Sequence, residues 1–293
     1  MPDIETRRPP PEGGRTASAP RIGLALGGGG ARGLAHLHVV AAFDDLGLKP
    51  ARIAGTSIGA MVGAAYASGL SAAAIEDHVL AMLATRRQVL GILWRTRPPT
   101  LADFRAEGGF RLGQMNAERV VGAFLPPGVP TTFAALAIPL AVMVTDFYEA
   151  CECAVEAGDL VSAIGASAAL PAIFRPVRRE GRVLVDGGIA NPLPFDVLAP
   201  LCDLVVASDV TGGPEAGAAG LLPTPTEAMF GASQLMMHAI IRAKLRCGAP
   251  DLLLQPPVSA YRVLDFLRAR TILAETKALR EDTKRGLDAL LAS

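Results

Sequence analysis

The sequence predicts an α/β protein built around a parallel sheet. Two observations carry this. Short apolar runs of strand length end at glycine-rich turns and lead into longer helical stretches, and parallel strands need such crossovers. The composition supplies the core: 293 residues, 51% hydrophobic and 19% charged, with a mean hydropathy of +0.36. That much apolar surface excludes a disordered or low-complexity chain.

Ile22-Gly23-Leu24-Ala25-Leu26 is the first strand and stops at Gly27. A glycine-rich loop, Gly27 to Gly33, opens a helix running to about Leu46, which Lys49-Pro50 ends. Arg52-Ile53-Ala54 is a second short strand closing at Gly55, and a helix follows from Ile58 toward Ser68. Ser71 to about Arg86 reads as further helix, and Thr85 to Arg111 as less regular sequence. Ala137 to Thr145 and Glu149 to Glu156 are neighbouring strands, and Asp159 to Ala166 is helical. Arg182 to Val185 is a strand ending at Asp186, and Asp203 to Ser208 is another. Gly212 to Thr226 is a loop, Glu227 to Arg246 a long helix, and the tail a charged helix.

Met1 to Pro20 carries Arg7-Arg8 without an apolar stretch before Arg15, so it reads as a disordered leader rather than a secretory or twin-arginine signal. Residues 21–293 then form one domain with a helical C-terminal part. Ile53 to Ile75 holds no charged residue, enough length to span a bilayer. Its four glycines and scattered hydroxyls fit a strand and helix buried in a protein core better.

Charge excludes other classes. Lys+Arg 28 balances Asp+Glu 28, which argues against nucleic-acid binding through a basic field, and aromatics are only 5%. The cysteines Cys151, Cys153, Cys202 and Cys247 form no C-x-x-C pair and histidines number four, so a metal site is not expected. Few cysteines in a long chain suit a reducing cytosol.

Gly55-Thr56-Ser57-Ile58-Gly59 matches G-x-S-x-G between a strand and a helix. A serine on that sharp turn is lifted above the sheet, and the helix aims its positive end at developing negative charge. The loop Gly28-x-Gly30-x-x-Gly33 fits a dinucleotide fingerprint in spacing, but the second strand ends without the required acid. A phosphate loop needs Lys and Ser/Thr after its last glycine, and Leu34-Ala35 stand there. An oxyanion hole of backbone N–H groups is the one reading that also uses Ser57.

A nucleophilic serine needs a base. Ser57, Asp186 and His238 stand in hydrolase order, but His238 lies within a helical run; His78 lies in another helix. His36, after the glycine loop, reads as local support. Asp186 ends a strand and is followed by Gly187-Gly188, where an open α/β sheet builds its site. Burial there would raise its pKa from the ordinary ~3.9 into the range of a useful base.

The glycine loop with Arg32, the elbow at Ser57, Ala166-Ser167-Ala168-Ala169-Leu170-Pro171 and Asp186-Gly187-Gly188 occur in that order. In this the chain resembles the bacterial patatin-like phospholipases and the catalytic domain of neuropathy target esterase, well over Arg21 to Val210 and loosely beyond. The resemblance implies a three-layer α/β/α sandwich with a mainly parallel central sheet. It implies hydrolysis of acyl ester bonds in phospholipids or lysophospholipids by a Ser57–Asp186 dyad, without metal or cofactor. Gly28, Gly29 and Gly30 would supply the oxyanion hole, with Arg32 beside it. His38 stands where the family has glycine, a change that touches packing rather than the dyad.

Val89, Leu90, Ile92, Leu93 and Trp94, flanked by arginines, suit a peripheral membrane contact, and equally a core helix. Four arginines between Arg175 and Arg182 read as solvated turn charge. The expected setting is cytoplasmic, at the inner membrane surface. Two alternatives stay open: a Ser-His-Asp esterase of α/β-hydrolase type, and a non-catalytic nucleotide-binding module.

Overall fold

In a computed structural model, which describes residues 19–96, 115–213 and 222–292, the first strand, β1 (Ile22–Leu26), is fully buried at the sheet centre. It lies parallel between β2 (Arg52–Thr56) and β7 (Leu204–Ser208). The sheet runs β5-β6-β3-β2-β1-β7-β8, with β3 (Leu140–Asp146), β5 (Val177–Arg179), β6 (Arg182–Asp186) and β8 (Leu252–Leu254); β4 (Cys151–Val155) pairs β3 off this path. Five strands from β3 to β8 are mutually parallel, while β4 and β6 are antiparallel to β3.

Alternation along the strands makes two unequal faces. Leu24, Leu26, Ile53, Leu140, Val142 and Val206 face the larger core. There α1 (His36–Asp45), α2 (Ile58–Ala67) and α6 (Leu160–Ser167) pack, with α10 (Ala278–Ala292) over α1. Ala25, Ala54, Ala141 and Ala207 face the other side, where small side chains let α7 (Phe195–Leu198) and the C-terminal half of α8 (Pro225–Cys247) come close. Two helical layers around one sheet give the expected three-layer sandwich.

The helix expected from Ser71 to about Arg86 stops at Met82. Ser71 caps α3 (Ala72–Met82), and Thr85 caps a separate α4 (Arg86–Arg95), so the Thr85 side begins as regular helix. The remainder of that stretch from 97, the first eighteen residues and most of the loop after Gly212 lie outside the described residues. Two short elements had no sequence signal: α5 (Ala117–Phe124), capped by Asn116, and β8. The uncharged run from Ile53 to Ile75 is β2, α2 and the start of α3, buried along most of its length. Among the described residues no helix is long and apolar enough to cross a membrane. The last helices are α9 (Ala269–Thr276) and α10.

Candidate active site

The site forms where the edge of β3 changes partner. β2 pairs Leu140 to Met143, β6 pairs Val144 to Asp146, and β4 overlaps both from Val142 to Asp146. A strand has two edges, so β4 takes one and β2 and β6 share the other. β2 and β6 run toward each other along it. Thr56 lies opposite Met143 and Asp186 opposite Val144, so the two strand ends meet. Asp186 therefore reaches the carboxyl end of β2 from the end of an antiparallel strand, β6.

Ser57 follows Thr56 with φ 54° and ψ −117°. That backbone is strained for a residue bearing a Cβ, and the surroundings hold it there. Ser57 N–H donates to Ser167 Oγ at 2.8 Å, and Ser167 Oγ donates in turn to the Met143 carbonyl at 2.5 Å. Thr56 Oγ1 donates to the Asn191 carbonyl at 2.8 Å. Close approach explains the second glycine of the elbow: a Cβ on Gly59 would sit 2.1 Å from the Leu26 carbonyl oxygen.

Asp186 is buried, and Ser57 is partly exposed. The Asp186 carboxylate accepts from Gly188 N–H at 2.7 Å, and the Ser57 hydroxyl lies near enough to lower its pKa. Burial dominates and pushes its pKa up to about 6, against the lowering effect of those two groups. Ser57 and Asp186 thus lie at adjoining strand ends.

The glycine loop divides by function. Gly28 N–H is already bonded to the Pro192 carbonyl at 2.9 Å, so the structure removes it from the expected set of free donors. Among the described residues no group accepts from Gly29 or Gly30 N–H. Gly30 has φ +60°, and a Cβ there would meet the Val263 carbonyl oxygen at 2.2 Å. Arg32 is likewise not a free donor: buried, it gives Nε to the Tyr261 carbonyl at 2.7 Å and Nη1 to the Thr211 carbonyl. Burial lowers its pKa to about 10. A buried guanidinium must have its donors satisfied, and these carbonyls make Arg32 a clamp on the loop.

Every histidine bonds a backbone carbonyl. His36 donates Nε2 to Gly27 at 2.9 Å and accepts from Ser208 Oγ at 3.0 Å through Nδ1. Complete burial lowers its pKa to about 4, so it stays neutral and supports the loop as expected. His238 bonds Gly212 at 2.7 Å, His78 bonds Phe124 at 3.0 Å and His38 bonds Leu273 at 2.9 Å. Among the described residues no group of three His, Cys, Asp or Glu could hold a metal ion.

Leu90 and Trp94 project from α4 into solvent, while Val89, Ile92 and Leu93 are half-buried and Val89 packs on the core. A cavity of about 640 Å³ lined by Met82, Thr85, Gln88 and Ile92 lies beside α4, between α3 and α5. It does not touch the dyad.

Fold and site together define an α/β/α protein with a serine on a strained strand-to-helix turn beside a buried aspartate. The family model described as patatin-like phospholipase matches residues 24–199, and the chain belongs to that family. It is 35% identical over 207 residues to an NTE family protein of Mycobacterium tuberculosis, covering 70% of this chain and 53% of that protein. It is 30% identical over 198 residues to the lysophospholipase NTE1 of Kluyveromyces lactis, covering 67% of this chain and 13% of that one. The chain thus spans about half the length of the first of these relatives and a smaller part of the second. Among solved structures it is similar to VipD from Legionella pneumophila, with TM-score 0.45, 14% identity and coverage of 91% and 68%. The ExoU–SpcU complex of Pseudomonas aeruginosa gives TM-score 0.46, 16% identity and coverage of 94% and 52%.

Proposed function

We propose that the chain hydrolyses acyl ester bonds of phospholipids, lysophospholipids or related lipids, with Ser57 as nucleophile and Asp186 as its base. The observation that carries this reading is the meeting of two strand ends, which puts the turn at Ser57 beside the buried Asp186: Thr56 lies opposite Met143 and Asp186 opposite Val144 on β3. Family membership and the kinship with a lysophospholipase support the lipid ester as substrate.

The ester carbonyl lies above Ser57. Oγ attacks its carbon as Asp186 takes the hydroxyl proton. The N–H groups of Gly29 and Gly30 hold the oxyanion, each such donor being worth about 2.7–4 kcal/mol. Gly28 and Arg32 act one step away, by fixing the loop that presents those donors. Asp186 returns the proton to the departing alkoxide, leaving an acyl-serine. Water then gives a proton to the same carboxylate and attacks the acyl carbon; Asp186 returns that proton to Ser57 Oγ as the fatty acid leaves. Neither metal nor cofactor enters these steps.

Exposed Leu90 and Trp94 give α4 a contact with lipid, and the site of action is the inner membrane surface. The test is product analysis on phospholipid and lysophospholipid, with the native chain and Ser57→Ala compared, beside labelling by a fluorophosphonate. Free fatty acid and labelling that both need Ser57 are expected. Unchanged release from Ser57→Ala, or a chain that labels but cleaves no lipid ester, overturns the reading. A folded His238→Gln variant that loses turnover a thousand-fold would restore a histidine triad.

A further inference from the structure

Helix α8 has an outer face that its buried side does not account for. Inward, Gln234 is buried beneath the Arg32 clamp, Met237 covers Gly188 next to Asp186, and Ile241 enters the smaller core. Outward, Ala228, Met229, Ala232, Leu235, Met236 and Ala239 are exposed and recur at helical spacing along one face. Leu235 and Met236 keep 55% and 60% of their surface in contact with solvent. Between Glu227 and Arg242 the helix has no Asp, Glu, Lys or Arg. A helix face turned to water normally carries charge, and this one carries none for three turns. The same face ends on exposed Arg242 and Arg246.

The apolar face continues into its surroundings. Ile189, three residues past Asp186, is exposed, and α8 packs on the 187–189 turn. The Arg262–Glu227 ion pair, 2.7 Å, ties the start of α8 to the segment bearing exposed Leu264.

We propose that the outer face of α8, with Ile189 and Leu264 at its margin, docks on an anionic lipid surface. The inference rests on the lipid hydrolase reading above and adds to it the surface through which substrate arrives. Charge complementarity selects this occupant: an apolar belt closed by two arginines fits acyl chains beneath anionic phosphates. α8 does not qualify as a membrane-crossing helix, so it lies in the interface plane. Because α8 packs directly on the turn after Asp186, docking brings the dyad to within about one helix diameter, ~10 Å, of the lipid.

The experiment is sedimentation of the full chain with vesicles of phosphatidylcholine alone or mixed with phosphatidylglycerol. Hydrolysis of a soluble short-chain p-nitrophenyl ester is measured in parallel. The double variant Leu235→Glu/Met236→Glu is expected to lose vesicle affinity by about tenfold or more, with soluble-ester turnover unchanged. Arg242→Glu/Arg246→Glu is expected to lose about fivefold per arginine removed on the mixed vesicles only. Native binding by the first variant overturns the proposal, as does a native chain that binds neither vesicle. A loss confined to Leu90→Glu/Trp94→Glu on α4 also overturns it. So does a concentration-dependent self-association that the α8 variant abolishes while keeping vesicle binding, which would make a second copy the occupant. Failure of the native chain to cleave the soluble ester would count against the hydrolase reading and leave the vesicle result standing.

Discussion

The two ends of α2 each meet an aspartate, and the two carboxylates are treated oppositely. At the N-terminal end, Ser57 meets Asp186, which is buried with one backbone N–H as donor and one hydroxyl nearby, and burial pushes its pKa up to about 6. At the other end, Tyr66 meets Asp44, which burial also pushes up. There the Lys49 ammonium, the Ala72 N–H and the Tyr66 hydroxyl, all within 2.9 Å, more than offset burial and hold the carboxylate below its ordinary value. A structural carboxylate is given donors enough to stay ionised. A base is given few, so that its ionised form is costly and takes up a proton readily. The backbone follows the same division: strain sits at Ser57, and the Tyr66 end is ordinary helix.

Four measurements would break or sharpen this contrast. The largest effect is expected at the dyad, where Ser57→Ala or Asp186→Asn should cut turnover by about 10⁴-fold or more, the double variant losing little beyond either single. Thermal melting at neutral pH should show Asp186→Asn to be more stable than the native chain, by about 3 kcal/mol at most. The sign follows from a folded pKa above the unfolded one. The contribution of this carboxyl to stability is present below pH 3.8 and is lost as pH rises through about 6, so an uncharged replacement gains above that window. An Asp186→Asn chain with near-normal turnover would end the assignment of base.

Next in size is Ser167. Removing its hydroxyl leaves the Ser57 N–H and the Met143 carbonyl without their shared partner, and the strained turn loses a restraint. Ser167→Ala should lower kcat by about 10- to 100-fold with KM little changed, at about 1.4 kcal/mol for each factor of ten. Because the Ser57 hydroxyl lowers the pKa of Asp186, a displaced Ser57 should also move the acid limb of the rate profile upward. Equal effects on kcat and on thermal stability alone, with an unmoved pH profile, would reduce Ser167 to a packing role.

Third, kcat/KM of the native chain should fall below a midpoint near pH 6, where Asp186 takes up its proton. Turnover at pH 5 should be about one tenth of that at pH 7 or above. A flat profile from pH 5 to 8 would mean that Asp186 is not the titrating base. Smallest in turnover is Asp44→Asn. It should leave kcat per folded molecule unchanged while lowering stability by about 1 kcal/mol at neutral pH, the cost of a partly exposed network losing its ionised acceptor. The stability that Asp44 adds is present above pH 3.8 and lost as pH falls through its lowered value, so native and variant should converge in acid. A fall in kcat would show that the two ends of α2 are coupled.

Much of this could be read from residues along the chain. The elbow, the buried strands and the Asp159 cap of α6 are local, set by glycine spacing, apolar runs and a side chain that bonds an N–H three residues on. Each of those features lies within a few residues of its cause. A helix where less regular sequence was expected from Thr85 follows from Thr85 itself, a cap whose bond to Gln88 N–H is also local.

The sequence by itself determined the buried strands and the sharp turn at Ser57, because strand periodicity and sharp turns are short-range properties; the three-layer sandwich and the pairing of Ser57 with Asp186 were what the family resemblance implied. Only the tertiary structure decided which glycines keep free N–H groups among the described residues, that Arg32 clamps the loop, and that Ser167 holds the Ser57 backbone. Gly28 lost its donor to Pro192, and Ser57 found Ser167 across 110 residues of chain. A hydrogen bond has one partner chosen from everything packing brings within about 3 Å, and that choice is made by the sheet register, not by neighbours in sequence.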